Sequence, residues 1–492
     1  MLALTRNHRQ TRTWLQDKLW TDRGPAQGAA SLRQALTSLR SILNGTEEVL
    51  FADRTWVWLD SSRFHFDHKS ATSGEVLRGF DLREEGFSEW LREARADFDA
   101  RKARWSPVAA VEQPDCAWHV DLAGIDTGDD GARETAHLIC DGLLEALNVL
   151  GMHPIVDRRG KSTAPAPRAT DFVTRVRVGL WGTYYVVFVG VTDGFGALQW
   201  QFRREASLER WMDLRGVQLE TIRLFQDFVV RTEAARLQGA RWSAHSNGCQ
   251  ALMGILAPGS VPLAEIARCS ETALAANEQG IYHALLGFSR ILLFGERESL
   301  EEPDADAIMQ AFHTALRLAP GNGLVQALAG HAFGFLLRDL QRNREMTAEA
   351  VRLLPGSGAC RLFESISLCY CGRYSEAVRA ATKAVSASRG TLSYPMAQSS
   401  ELYARLMAGD NDGAIRVGEM AMESILFRPT IVDLMTAYAR AGRIEDGRRK
   451  LDLLRAREPE LSIDLIRSDN YPIVNPAHRA AVAVAAKQLG LR

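Results

Sequence analysis

Four polar side chains on one stretch of chain, Ser31, Arg33, Gln34 and Thr37, are of the types that pair with the edges of nucleic-acid bases. An arginine fork matches two acceptors on guanine, and a glutamine amide matches the donor and acceptor of adenine. Around them Arg12, Arg23, Arg40 and Arg54 are suited to phosphate oxygens, which fix register without reading sequence. Residues 1–45 carry seven Lys/Arg against Asp17 and Asp22, a charge of +5 on a chain whose total is −1. A basic pole on an otherwise mildly acidic molecule is the electrostatic footprint of a nucleic-acid-binding end. The same polar side chains also suit an ordinary solvent-facing helix, so the neighbouring elements have to decide between the two.

Those elements are legible from periodicity. Leu32, Leu36, Leu39 and Leu43 recur at i, i+4, i+7 and i+11, which predicts an amphipathic helix over Gly28 to Leu43 with that stripe buried. A shorter helix is expected at Thr11 to Trp20, followed by a turn ending at Pro25, and Asn44-Gly45 stops the longer helix. Val49 to Ala52 and Thr55 to Leu59 flank Asp53-Arg54 as a hairpin. Helix, turn, helix, hairpin is the order of a winged helix-turn-helix.

In residue type and spacing, Leu15 to Trp20, Ala29 to Arg40 and the hairpin ending Leu59-Asp60 resemble the DNA-binding domain of SARP-type regulators, a branch of the OmpR-like winged helices. The resemblance implies that Thr11 to Trp20 positions the domain, that Gly28 to Leu43 is the recognition helix, that Asp53-Arg54 is the wing tip, and that the partner is double-stranded DNA. Domains of this class begin with a small sheet and a further helix, whereas only Met1 to Arg9 precede the positioning helix here. The expectation is therefore a winged helix shortened at its amino end.

With 492 residues, 46% hydrophobic and 24% charged, the chain has length for several domains. Its longest apolar run, residues 178–191, is rich in aromatic and β-branched types and too short to span a bilayer. Met1 is followed by polar and basic residues, which points to the cytoplasm, with no membrane partner. Seven scattered cysteines read as reduced, mostly buried thiols.

The expected fold class is mostly α and multidomain: a truncated winged helix-turn-helix at 1–68, a helical connector and linker at 69–116, a small α/β domain at 117–238, an α-solenoid at 239–460 and a capping segment at 461–492. The connector contains a helix over Phe80 to Phe98 and a linker from Lys102 to Pro114; membrane-bound CadC-type relatives would carry a transmembrane helix about here. In the α/β segment, helix Gly131 to Leu147 has Leu138, Leu143, Leu144 and Leu147 apolar, and the strand order with its Val191 to Trp200 hairpin resembles the TolB N-terminal-like domain of a group of bacterial regulators. In the helical half, turn glycines Gly372, Gly409 and Gly442 are 37 and 33 residues apart, and Pro320 and Pro355 are 35 apart. A period near 34 with glycine after the first helix and alanine in the second resembles tetratricopeptide repeats, four or five between about Gly280 and Pro459.

No HExxH, GxSxG, kinase or dinucleotide pattern is present. His65 and His68 lack a second ligand pair, and Glu84-Glu85 and Glu301-Glu302 read as solvated charge. An enzyme, a cofactor and a metal are not expected. The resulting expectation is a cytoplasmic DNA-binding transcriptional regulator acting in signal transduction. Its repeat groove takes a protein or peptide partner or a small effector, with room for a homodimer. The alternative is an interaction scaffold whose shortened winged helix serves packing or dimerisation.

Overall fold

The computed structural model describes residues 9–43, 49–59, 84, 86–92, 95, 116–123, 129–152, 154–160, 164, 166–207, 211–236, 244–298 and 303–492. The helix stop at Asn44-Gly45, the linker at 102–114, His65, His68, Glu85 and Glu301-Glu302 lie outside these residues. The chain forms two compact units, Met1–Glu112 and Gln113–Arg492.

In the first unit, strand β1 (Arg9–Thr11) leads into helix α1 (Arg12–Leu19), helix α2 (Pro25–Leu43) and the hairpin β2 (Leu50–Ala52) and β3 (Trp56–Leu59). Thr11 caps α1 by accepting a hydrogen bond from the Trp14 amide at 3.2 Å. α2 starts a turn earlier than Gly28 because Pro25, with its fixed φ, occupies the first helical position. The hairpin turns at Arg54-Thr55, held by Asp53 Oδ1 accepting from the amides of Thr55 at 2.7 Å and Trp56 at 2.6 Å. β1 pairs antiparallel with β3, giving the sheet order β1-β3-β2. That third strand was not anticipated, because three residues give no alternation to read. Leu15, Leu32, Leu36, Leu50 and Val57 form the core. Leu39 is a correction: it is 45% exposed. The buried row follows the i+4 ridge from Gly28 through Leu32 and Leu36 to half-buried Arg40, and Leu39 branches off it. Residues 86–92 form a short helix whose Phe87, Trp90 and Leu91 pack on Trp14 and Leu19. A Cβ on Gly86 would stand 2.8 Å from the Asp17 carbonyl oxygen, so only glycine fits that approach.

The second unit begins with strand β4 (Trp118–Leu122), helix α3 (Asp130–Val149), β5 (Ile155–Asp157), β6 (Phe172–Trp181), β7 (Tyr184–Asp193), β8 (Leu198–Ser207) and helix α4 (Trp211–Arg236). The sheet order is β5-β4-β6-β7-β8, with β4 parallel to β5 and β6 and the last three strands antiparallel. Val176, Val178, Val187, Val189 and Val191 alternate inward and are buried in one core with residues of α3 and α4. Leu138 is 49% exposed, since the buried row of α3 runs through Ala132, Ala136, Ile139 and Leu143, a quarter-turn away.

Antiparallel helix pairs follow: α5 and α6 (Ala244–Leu256, Leu263–Ala276), α7 and α8 (Gly280–Gly295, Ala305–Leu318), α9 and α10 (Gly323–Leu337, Leu340–Leu353), α11 and α12 (Gly358–Tyr370, Tyr374–Ser388), α13 and α14 (Tyr394–Met407, Asn411–Met422), α15 and α16 (Arg428–Arg440, Ile444–Arg457), then α17 (Ile463–Arg467) and α18 (Pro476–Gln488). Five pairs fall between Gly280 and Pro459, in agreement with the repeat spacing, and one more precedes them. Gly372, Gly409 and Gly442 are all left-handed, at φ 73°, 85° and 74°, closing their helices as Schellman turns. The amides of Arg373, Asp410 and Arg443 accordingly donate to Leu368, Arg405 and Tyr438 carbonyls at 2.9–3.0 Å. Each first helix packs on the first helix of the next pair, so the protein is mostly α, with a solenoid of stacked pairs and two small sheets.

The sheet layer and the solenoid share buried polar links. Glu233 of α4 accepts from Trp118 Nε1 at 3.2 Å and from Ser246 Oγ at 3.0 Å, joining β4, α4 and α5. Asn322 donates to the Val149 carbonyl at 2.8 Å and Arg223 to the Arg389 carbonyl at 2.9 Å, which seats α3 and α4 against turns between pairs. Among the described residues no helix is long and apolar enough to cross a membrane.

Candidate functional site

On α2, Arg33, Gln34 and Thr37 are exposed and Ser31 is half-buried. Arg33 and Gln34, one residue apart on the polar side of the buried ridge, hold no partner among the described residues, and neither does exposed Arg54 at the hairpin turn. The remaining candidates have internal partners. Thr37 Oγ1 donates to the Arg33 carbonyl at 3.0 Å, and Arg23 donates to Ser31 Oγ at 2.7 Å. Arg12 Nε donates to the Asp53 carbonyl at 2.6 Å and Arg40 Nε to the Leu50 carbonyl at 3.3 Å, so both pin the hairpin to a helix. The structure thus gathers the eight residues around α2 and the turn, and leaves the polar heads of three of them, Arg33, Gln34 and Arg54, without a partner among the described residues.

A second candidate lies in the repeat array, where a partner or effector groove is expected but periodicity names none of its lining residues. The first helices of five successive pairs line a cavity of about 140 Å³ inside the solenoid. α7 contributes Phe288 and Leu292, α9 His331 and Phe335, α11 Phe363 and Tyr370, and α13 Ser399 and Tyr403, each near i and i+4 or i+7 on one helix face. α15 adds Val432 and Asp433, and residues 472–474 with His478 of α18 complete the wall. Asn475 anchors this closing segment by donating to the Cys369 carbonyl at 2.8 Å and by capping α18.

The charges at the cavity are paired. His478 Nε2 meets Asp433 Oδ1 at 2.6 Å. Arg428, 2% exposed, donates to Glu458 at 2.5 Å, and its backbone amide donates to Glu296 at 3.0 Å. Arg457 reaches Glu296 at 2.8 Å, and the Arg428 guanidinium stacks on Tyr471. Burial pushes the Glu296 carboxyl up to about 7, against the opposing pull of Arg457 and the Arg428 amide. Because Arg428 also donates to the Gly295 carbonyl at 3.1 Å, the end of α7 is fastened to the start of α15 four pairs later.

Two polar atoms at the cavity have no partner among the described residues: the Tyr403 hydroxyl and His331 Nδ1. The His331 ring is surrounded by Phe288, Phe335, Phe363 and Tyr370 at centroid distances of 5.4–6.0 Å, and burial lowers its pKa to about 4, so it is neutral at physiological pH.

Burial pushes the thiols of Cys140, Cys269 and Cys360 up to about 12, where thiolate is scarce near neutrality. Among the described residues no group of three His, Cys, Asp or Glu is arranged to hold a metal ion.

No family model matches the chain, and no curated protein matches it. Among solved structures it is similar to the crystal structure of the APC/C hetero-tetramer Cut9–Hcn1, at 12% identity and a TM-score of 0.36. The likeness covers 57% of this chain and 61% of that one, so this chain spans about three-fifths of the length it matches.

Proposed function

We propose that the chain is an interaction scaffold whose stacked helix pairs hold a partner in their groove. The observation that carries this reading is the line of aromatic and apolar side chains that the first helices of five consecutive pairs turn to one inner face. Stacked arrays of this kind hold partners on their inner face, and half-buried Phe335 is a position there that a partner can reach. The test is site-specific photo-crosslinking in the native host, with the crosslinker at half-buried Phe335 on the groove and, as control, at exposed Arg449 on α16. The reading predicts a discrete adduct from Phe335 alone; equal adducts from both positions, or none from Phe335, defeat it.

A second reading is favoured by the first unit: a winged-helix transcriptional regulator in which α2 reads an operator. Its support is the exposed pair Arg33 and Gln34 beside a hairpin whose turn carries exposed Arg54, all three without a partner among the described residues. Fluorescence anisotropy of the full chain on its own promoter and on a scrambled fragment, at two salt concentrations, tests it. Preference for the promoter, with affinity falling as salt rises, supports operator reading. Equal affinity for both fragments leaves the scaffold reading alone.

A further inference from the structure

We infer that the chamber between α7, α9, α11, α13 and α15 is a binding site for a neutral small molecule of one-ring size that carries a hydroxyl or carbonyl group. This deepens the reading of the repeat array as the binding part of the molecule, by assigning its innermost part to a small effector.

Four observations lead there. The first is size: about 140 Å³ matches a single ring, since engineered apolar cavities near 150 Å³ accept benzene. The second is depth. Phe288 and Phe363 are 3% exposed and Tyr403 is 7% exposed, whereas His331 and Phe335 are half-buried, so the space is a cleft whose inner end lies deep between the helices. The third is charge. Arg428 is spent on Glu458, Arg457 on Glu296 and His478 on Asp433, which leaves no ion to receive a charged ligand. His331 is neutral as well, for the reason given above.

The fourth observation is the pair of unsatisfied polar atoms. A buried hydroxyl without a partner is costly, and native cores seldom keep one. Here the Tyr403 hydroxyl and His331 Nδ1 both line the same chamber without partners, whereas neighbouring Ser399 and Ser400 are bonded to Thr430 and to the Ala397 carbonyl. The phenol can donate or accept, and Nδ1 does either according to tautomer, so a ligand hydroxyl or carbonyl completes them. The aromatic rings around His331 supply flat surfaces for a ring to pack on.

The experiment is ¹⁹F NMR of 4-fluorophenol titrated with the full-length protein, with 4-fluorobenzoate as the charged counterpart. The expected result is saturable binding of the phenol at one site per chain and none of the benzoate. Tyr403→Phe, which removes only the hydroxyl and keeps the ring, weakens the phenol about tenfold while leaving the free protein as stable as before or more so. Val432→Trp, which fills the chamber from α15, abolishes binding in a protein whose circular dichroism is unchanged. Should Val432→Trp fail to fold, Tyr403→Phe decides alone. Absence of saturable phenol binding to the native chain, or an affinity that ignores Tyr403→Phe, overturns the inference. Neither outcome touches the crosslinking from Phe335, so the chamber and the scaffold reading fail separately.

Discussion

Arg33 and Gln34 differ from Thr37 in what they have left to give. Thr37 already satisfies its hydroxyl on the Arg33 carbonyl, whereas the two longer side chains end in open solvent. If α2 reads bases, Arg33→Ala costs about 1–3 kcal/mol of operator affinity and Thr37→Ala well under 1 kcal/mol, measured by anisotropy at fixed salt. Equal losses at the two positions would contradict that division of labour. His331 supplies a second contrast at this scale. Its folded pKa, near 4, lies below its ordinary value of 6.5, so the stability it contributes is present above about 6.5 and is lost as pH falls toward 4. His331→Phe removes that dependence. Relative to the variant, the native chain loses up to about 2 kcal/mol between pH 7.5 and pH 5, readable as a narrowing or inversion of their Tm difference. A Tm difference that does not move with pH would place the histidine in solvent.

At the scale of elements, the turn within each pair decides how visible the repeat is. Gly372, Gly409 and Gly442 announce their turns because only glycine adopts a left-handed conformation at no cost. The two preceding pairs place Arg297 at φ 60° and Arg338 at φ 57° in the same role, so their turns carry no glycine and stay silent in the sequence. A Cβ on Gly409 meets nothing within 4 Å, which leaves the backbone conformation as the whole cost of substitution. Gly409→Ala is therefore expected to lose about 1 kcal/mol, while Arg338→Gly is neutral or gains up to about 1 kcal/mol, by chemical denaturation. The same logic explains the amino-terminal unit. Helix and hairpin order were legible from leucine spacing and alternation, but β1, with three residues, had no pattern of its own. Leu39 and Leu138 went astray because periodicity gives a stripe, and the partner element selects which inclined row of it is covered.

At the scale of the molecule, the chamber was illegible for a reason that periodicity cannot supply. Phe288, His331, Phe363 and Tyr403 lie in four separate helical segments, and nothing in their local spacing marks them as neighbours. Whether they enclose space depends on how far the solenoid turns before it meets itself, which is set by contacts between residues more than 130 positions apart. Arg428 makes those contacts: it fastens the Gly295 carbonyl and the Glu296 carboxylate of the first of the five pairs to Glu458 of the fifth. Removing one partner of a buried ion pair leaves the other uncompensated, so Arg428→Ala is expected to cost about 3–5 kcal/mol. The loss should fall on the closure between α7 and α15, visible as faster hydrogen exchange at residues 293–298 and 428–432 while the sheet layer stays protected.

The fastening also carries a pH signature. Glu296 faces Arg428, Arg457 and Glu298, with Arg297, Glu458 and Tyr471 in the same cluster, and its folded pKa, near 7, stands above the ordinary 4.5. A carboxyl raised in this way stabilises the fold fully below about 4.5, and that contribution disappears as pH rises through 7. Glu296→Gln keeps the shape and an acceptor for the Arg428 amide but cannot ionise. Comparison of Tm at pH 5.5 and pH 8 should therefore show the native chain losing ground to Glu296→Gln on the alkaline side. A Tm difference that stays flat between the two pH values would mean that the two arginines outweigh burial, and that the closure is held by a carboxylate ionised throughout.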